Sequence, residues 1–184
     1  RTKIPAPVPR PLAPERPEPA LAVAGQTKPV VTGIGVLDQP AATFVQYLPG
    51  MRAIIIADEN TWAAAGPGVQ ESLLAAGVDL DEPVIFPGKP VLFADDVMVL
   101  RVRDLIAATD AAAVSVGSGS IHDVVKNASD MIGRPYLSVC TAAPVHGYAA
   151  EGAAIPVKGL KAPVRGPPPN PGVCPAHSPA APRR

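Results

Sequence analysis

The sequence predicts an α/β fold, a Rossmann-like parallel sheet with helices on both faces, flanked by disordered Pro-rich ends. Short apolar runs typical of buried strands alternate with longer segments whose apolar residues recur at the spacing of one helix face. A turn rich in glycine and serine joins one of these runs to the helix that follows it. Strands that alternate with helices in this way are typical of parallel sheets with right-handed crossovers.

The predicted elements begin near residue 28. A β-rich run over 28–32 is closed by Gly33 and Gly35, and residues 37–48 carry a helical apolar spacing. The elements that follow keep the same alternation: a strand over 53–57, a helix over 61–76, a strand over 83–86 and a helix over 94–108. Ligands of such sheets lie at the carboxyl ends of the strands.

The central unit is a strand, a turn and a helix. An apolar run over 112–116 ends in Gly117-Ser118-Gly119-Ser120, here called the glycine turn, and apolar residues then recur at helical spacing. We expect Gly119 to adopt a positive φ and Ser120 to cap the helix, whose free N–H groups favour a phosphate. The alternative is a connection that binds nothing, because the spacing is not the full G-x-G-x-x-G.

Two further segments are predicted to reach the same sheet edge. Residues 136–140 form a second buried strand that leads into residues 141–148, and Asp58 follows the strand over 53–57. An acidic residue in that place accepts hydrogen bonds from the adenosine ribose and favours NAD over NADP, because it repels a 2′-phosphate. The alternative is that Asp58 only caps the helix after it.

Four stretches together carry a family resemblance: ADENTW, FPGKPVLFADD, GSGSIHDVVKNAS and GRPYLSVCTAAPVHGYAAEGAAI. Over about residues 28–164, the chain resembles the nucleotide-binding half of sn-glycerol-1-phosphate dehydrogenases, within the superfamily of iron-type alcohol dehydrogenases, glycerol dehydrogenases and dehydroquinate synthases. The resemblance implies an enzyme that uses NAD or NADP to interconvert dihydroxyacetone phosphate and sn-glycerol 1-phosphate, a phosphorylated polyol.

The candidate cofactor-binding residues share one predicted sheet edge or are implied by the resemblance; they are Asp58, Gly117, Ser118, Gly119, Ser120, Ile121, Thr141, Ala142, Pro144 and Ala150. The resemblance implies that residues 141–144 line the pyrophosphate and nicotinamide side of the groove. Ala150 replaces a serine that reaches the cofactor in relatives. His146 stands where the family commonly has Asp or Asn on the substrate hydroxyls, so it is the candidate substrate contact. His122 is predicted to be a solvated surface residue.

The resembling family holds Zn²⁺, or Ni²⁺ in some bacterial members, through one Asp and two His later in the chain. That metal polarises the alcohol while hydride passes to the nicotinamide. We name no metal ligand here, because His177 has no second His or carboxylate at ligand spacing. No catalytic residue is assigned, and we expect the chain alone to bind nucleotide without turnover.

The composition of the chain narrows the classes of function that it could have. The chain has 184 residues, 47% of them hydrophobic and 17% charged, which is typical of a soluble globular protein. A net charge of zero and 4% aromatic residues argue against nucleic-acid binding. No apolar run approaches the roughly 20 residues of a membrane span. We expect a cytoplasmic protein, and a homo-oligomer is compatible with the sequence.

Three segments are predicted by composition: a flexible Pro-rich lead over 1–27, an NAD(P)-binding domain over 28–161, and a Pro-rich tail over 162–184. The tail has no periodicity and is expected to be disordered. It stands where the family has a metal-binding helical domain, which indicates a truncated or frame-shifted reading of a longer enzyme. The alternative is a proline-rich ligand for an SH3-like partner.

Two other functions stay open. One is a non-catalytic nucleotide-binding or interaction module, since a nucleotide fold alone performs no chemistry. The other is an enzyme like dehydroquinate synthase, which the segment TAAPVHGY fits less well.

Overall fold

A computed structural model of the chain describes residues 30–33, 39–141, 153–157, 160–164 and 172–175, and outside 39–141 only the backbone. Within these ranges lie the following strands and helices, numbered in chain order: β1 (Val30–Gly33), α1 (Gln39–Tyr47), β2 (Ala53–Asp58), α2 (Glu59–Ala75), β3 (Val84–Phe86), α3 (Asp96–Ala107), β4 (Ala112–Gly117), α4 (Gly119–Met131), β5 (Tyr136–Cys140), β6 (Ala153–Val157), β7 (Leu160–Val164) and β8 (Gly172–Pro175).

Among the described residues, the main sheet has six parallel strands in the order β1-β8-β5-β4-β2-β3. Strands β6 and β7 form a separate antiparallel pair. Strands β2, β4 and β5 are almost wholly buried, as expected for central strands of a sheet that is covered on both faces. The parallel α/β fold predicted from the sequence is confirmed.

Helices cover both faces of this sheet. Along β2, Ile55 packs with Phe44 of α1 and Leu73 of α2 on one face. Its neighbour Ile54 belongs to a second apolar cluster on the other face, which includes Val102 of α3 and Val125 of α4. Successive side chains of a strand point to opposite faces, so β2 contributes to both clusters.

The strand order reverses direction between β2 and β4. The chain passes from β2 to β3 on one side and from β4 to β5 on the other, and the connecting helices α2 and α4 lie on opposite faces. Ligands of open α/β sheets bind in the crevice at the carboxyl ends of strands at such a switch point. Ile56 pairs with Ser115 in the register of β2 and β4, so Asp58 and Gly117 each lie two residues further towards this crevice.

Strand β8 and the end of strand β7 fall within the predicted tail over 162–184. Strand β7 extends to Val164, and β8 pairs in parallel with both β1 and β5. Strand pairing satisfies the backbone groups of these short segments, which show no sequence period, and the disorder expected of the tail stays a prediction. The other residues of 162–184 and residues 1–27 lie outside the described residues, and the domain boundaries stay predictions.

Within the described residues, no helix has the length and apolar character needed to cross a membrane.

Candidate nucleotide-binding edge

The carboxyl ends of β2, β4 and β5 bring three predicted segments to one edge. Strand β4 leads into the glycine turn, and β5 leads into Thr141. The Thr141 N–H donates to the Gly117 carbonyl at 2.9 Å, which joins these two segments directly. Asp58 ends the neighbouring strand β2. The structure therefore brings Asp58, the glycine turn and Thr141 to the same crevice.

The start of α4 differs from the predicted one. Gly119 is the first residue of the helix and Ser118 is its N-cap, although the Ser118 side chain makes no capping hydrogen bond. Ser120 lies inside the first turn, so the prediction that it caps the helix is wrong. The positive φ expected for Gly119 is also wrong, because the helix begins directly after Ser118; the described glycines with positive φ are Gly50, Gly77 and Gly133.

The first turn of α4 offers hydrogen-bond donors to an anion. The first hydrogen bond of the helix runs from the His122 N–H to the Ser118 carbonyl, at 3.1 Å. The N–H groups of Gly119, Ser120 and Ile121 precede it and have no acceptor within their own helix. This turn carries no acidic side chain. The positive end of the helix dipole adds to these donors, so the helix start is suited to a phosphate.

Gly117 has a packing role at this point. A Cβ added to Gly117 would lie 2.7 Å from the Cβ of Ile121 and 3.0 Å from its Cγ1. Only glycine therefore allows α4 to begin so close to β4. The packing explains Gly117 without reference to a ligand.

Asp58 caps α2. Its Oδ1 accepts from the Thr61 N–H at 2.8 Å, and the Thr61 hydroxyl accepts from the Asp58 N–H at 3.0 Å. These two bonds form a capping box. The capping alternative raised from the sequence is therefore what the structure shows, and ribose binding by Asp58 stays a prediction.

A second contact at this edge was missed by the sequence analysis. The loop after β3 is held to the start of α2, because the Gly88 N–H donates to Glu59 Oε2 at 3.0 Å and the Asn60 amide donates to the Gly88 carbonyl at 3.2 Å. A Cβ added to Gly88 would lie 2.7 Å from Asn60 Nδ2, so the Asn60 amide would have to move. Asp58 is thus followed by two residues that fix the neighbouring loop.

His122 is buried, so the prediction of a surface residue is wrong. Its side chain is 1% exposed, and its Nδ1 shares a hydrogen bond with the Ser138 hydroxyl of β5. The Ser115 hydroxyl of β4 lies 3.2 Å from that of Ser138. Serines inside two apolar strands were the available sequence signal, because buried hydroxyls need partners.

Charged and phenolic groups lie near this histidine. Burial raises the pKa of Asp123, and Lys126 partly offsets the rise. Burial lowers the pKa of Lys126, and Asp123 partly offsets the fall. Burial, then Asp123, then Asp130 raise the pKa of Tyr136 well above its usual range. Asp123 and Lys126 belong to α4, and the ring of Tyr136 in β5 lies 6.0 Å from that of His122 between centroids.

Only part of the predicted site lies among the described residues. Ala142, Pro144, His146 and Ala150 lie outside the described residues. In the part of the chain that the structure describes, no group of three His, Cys, Asp or Glu side chains could hold a metal ion.

A cavity of about 240 Å³ lies at the opposite, amino edge of the sheet. It is lined by the ends of α1 and α2 and the start of β2, including Leu48, Met51 and Val78. Because ligands of parallel sheets bind at the carboxyl ends, we do not assign the nucleotide to this cavity.

Comparison with known families settles the chain's family. Residues 31–171 match the model of a family described as iron-containing alcohol dehydrogenase. The chain belongs to this family. The resemblance stated from the sequence is confirmed.

Similar proteins include two named NAD(P)+ glycerol-1-phosphate dehydrogenases. The one from Halalkalibacterium halodurans is 30% identical over 125 residues, which are 64% of this chain and 31% of that protein. The one from Methanoculleus marisnigri is 32% identical over 127 residues, which are 69% of this chain and 33% of that protein. The chain thus spans about a third of the length of these relatives.

Two solved structures share the fold. An iron-containing alcohol dehydrogenase from Thermotoga maritima has a TM-score of 0.67 at 14% identity, over 81% of this chain and 46% of that one. A glycerol dehydrogenase from Schizosaccharomyces pombe has a TM-score of 0.64 at 17% identity, over 79% of this chain and 36% of that one. At these identities the likeness concerns the fold alone.

Proposed function

We propose that this chain is the NAD(P)-binding half of an sn-glycerol-1-phosphate dehydrogenase. The whole enzyme would interconvert dihydroxyacetone phosphate and sn-glycerol 1-phosphate, a phosphorylated polyol. One observation carries the proposal: the first turn of α4, without a side-chain cap or an acidic residue, opens at the switch point between β2 and β4. The named relatives support the substrate class.

The cofactor pyrophosphate would bind at the start of α4. The N–H groups of Gly119, Ser120 and Ile121 would donate to its oxygens, and the Ser118 hydroxyl is not engaged in capping. The helix dipole contributes on the order of 1 kcal/mol, so further contacts must supply most of the affinity. Thr141, joined to Gly117 by a backbone hydrogen bond, borders the same place.

The adenosine ribose would lie towards Asp58. One carboxylate oxygen of Asp58 caps α2, and the charge of the group favours NAD, since it would repel the 2′-phosphate of NADP. When bound, the nicotinamide supplies the hydride acceptor or donor. The described residues of this half bind and orient the cofactor, and we assign no proton transfer to them.

Several parts of the proposal rest on the resemblance. They are Zn²⁺ or Ni²⁺ in the whole enzyme, cofactor contacts from Ala142, Pro144 and Ala150, a substrate contact from His146, a homo-oligomer and a cytoplasmic location. Each stays a prediction.

Calorimetric titration of the 184-residue chain with NAD⁺ and NADP⁺ tests the proposal. Gly119→Val places a branched side chain beside the donors and should lower the affinity for NAD⁺ about tenfold or more, which corresponds to about 1.4 kcal/mol. Valine is compatible with the helical backbone at position 119, so circular dichroism should show an unchanged fold.

Gly68→Val is the matched control. Gly68 is exposed within α2, and no atom lies within 4 Å of a Cβ added there. This variant should bind NAD⁺ as the parent does. The proposal fails if the parent binds neither nucleotide, or if Gly119→Val binds as tightly as Gly68→Val.

A further inference from the structure

His122 joins the first turn of α4 to the sheet. Its backbone N–H makes the first hydrogen bond of the helix, to the Ser118 carbonyl at 3.1 Å. Its imidazole is 1% exposed and is hydrogen-bonded through Nδ1 to the hydroxyl of Ser138 in β5. His122 therefore connects the start of α4 with β5, one of the strands that end at the candidate nucleotide-binding edge.

The connection continues into β4. The Ser115 hydroxyl lies 3.2 Å from the Ser138 hydroxyl and 3.4 Å from the Leu137 carbonyl. Ser115 and Ser138 are each 1% exposed, and they are register partners on adjacent strands. The buried chain from His122 through Ser138 to Ser115, here called the buried polar chain, thus links α4 to both strands whose carboxyl ends border the glycine turn.

Side-chain capping does not hold the start of this helix. The Ser118 side chain makes no capping hydrogen bond, and glycine and serine are weak helix formers in the first two positions. Apolar packing of Ile121, Val124 and Val125 seats one face of α4 on the sheet. The hydrogen bond of His122 is directional, so it adds a specific constraint on the orientation of the first turn.

We propose that His122 and Ser138 are positioning residues for the pyrophosphate site. Their hydrogen bond holds the first turn of α4 in the orientation that aims the N–H groups of Gly119, Ser120 and Ile121 at the crevice. This inference rests on the proposed function for its ligand. It assigns to His122 no contact with the cofactor.

The test compares two ligands in matched variants. His122→Leu and Ser138→Ala remove the hydrogen bond, and His122→Asn keeps a polar atom close to the place of Nδ1. Val125→Ala weakens the apolar packing of the same helix and leaves all three side chains of the buried polar chain in place. NAD⁺ and adenosine are the probes, because adenosine lacks the pyrophosphate.

We expect the variants to change the affinity for NAD⁺ and the affinity for adenosine differently, which is here called a split between the two probes. His122→Leu and Ser138→Ala should each weaken NAD⁺ binding about fivefold, in line with the loss of one hydrogen bond, and leave adenosine binding unchanged. His122→Asn should restore most of the NAD⁺ affinity. Val125→Ala should lower the unfolding midpoint without changing the ratio of the two affinities. Equal weakening of NAD⁺ and adenosine in His122→Leu, or the same split in Val125→Ala, would overturn the inference.

A ligand-free measurement separates this inference from the proposed function. If the parent binds neither probe, the proposed function fails, but amide exchange still reports on the helix start. His122→Leu should speed exchange at positions 122 and 123 and leave Ala128, later in α4, unchanged. Unchanged exchange at positions 122 and 123, or an equal increase along the whole helix, would overturn the positioning role.

Discussion

Gly117 and Ile121 are packed against each other where β4 passes into α4. A Cβ on Gly117 would lie 2.7 Å from the Cβ of Ile121, an atom next to the helix backbone that cannot move away on its own. The first residue of the glycine turn is therefore required by the packing of strand against helix. The nucleotide proposal depends instead on the residues after it, at the start of α4.

Gly117→Ala should lower the free energy of unfolding by about 1–3 kcal/mol, because the added methyl group overpacks this contact. Urea denaturation measures the change. Gly68→Ala is the control: it lies inside α2 with open space around it and should raise stability by about 0.5–1 kcal/mol. An unchanged stability of Gly117→Ala would show that α4 does not pack against β4 as described.

Asp58→Asn and Asp58→Ala separate capping from ribose binding. Asparagine is as good an N-cap as aspartate, so Asp58→Asn should keep the stability of the parent, whereas Asp58→Ala should lose about 0.5–2 kcal/mol. Both variants lack the carboxylate charge and should shift the binding preference from NAD⁺ towards NADP⁺. Denaturation and calorimetry measure the two effects. An unchanged preference in both variants would leave Asp58 as a helix cap alone.

Tyr136→Phe should stabilise the chain. The Tyr136 hydroxyl is buried and has no hydrogen-bond partner among the described residues. Removing an unsatisfied buried hydroxyl should raise the free energy of unfolding by about 1 kcal/mol. Tyr47→Phe, at a half-buried tyrosine, should change it by less than about 0.5 kcal/mol. A loss of stability in Tyr136→Phe would mean that the hydroxyl has a partner in solution.

Lys126 should make stability depend on pH. Burial lowers its pKa in the folded chain, with partial compensation by Asp123. Between that lowered pKa and the ordinary value of about 10.4, the unfolded chain binds more protons than the folded one, so the free energy of unfolding rises with pH. In Lys126→Met this rise should be absent.

Urea denaturation between about pH 7 and about pH 9.5 measures the effect, below the range in which Tyr136 loses its proton in the unfolded chain. The exposed Lys89 supplies the control variant, Lys89→Met, which should follow the parent. Parallel pH profiles for the parent and Lys126→Met would contradict the burial of the charged group.

The sequence was sufficient to predict the order of elements between residues 30 and 141. Strands such as β2 and β5 are continuous apolar runs, and the helices between them carry clear apolar spacing. Where α4 begins could not be read in the same way, because Ser118 and Ser120 are equally suitable caps and the boundary depends on which carbonyl accepts the first helical bond.

Contacts between polar residues account for the other differences between the predicted and the observed structure. His122 is buried because Ser138, sixteen residues later, supplies its hydrogen bond. Apolar periodicity contains no information about such a partner. The loop clamp on Gly88 depends in the same way on Glu59 and Asn60, which come 29 and 28 residues earlier. Contacts of this kind follow from the fold and not from local pattern.

Amide chemical shifts of the isotope-labelled chain during titration with NAD⁺ test the central claim most directly. We predict that the largest shifts occur at Gly119, Ser120 and Ile121, with smaller shifts at Asp58 and Thr141. Residues at the amino edge of the sheet, such as Gly50 and Val78 beside the cavity there, should not shift. Shifts confined to that amino edge, or the absence of any shift at the first turn of α4, would contradict the claim.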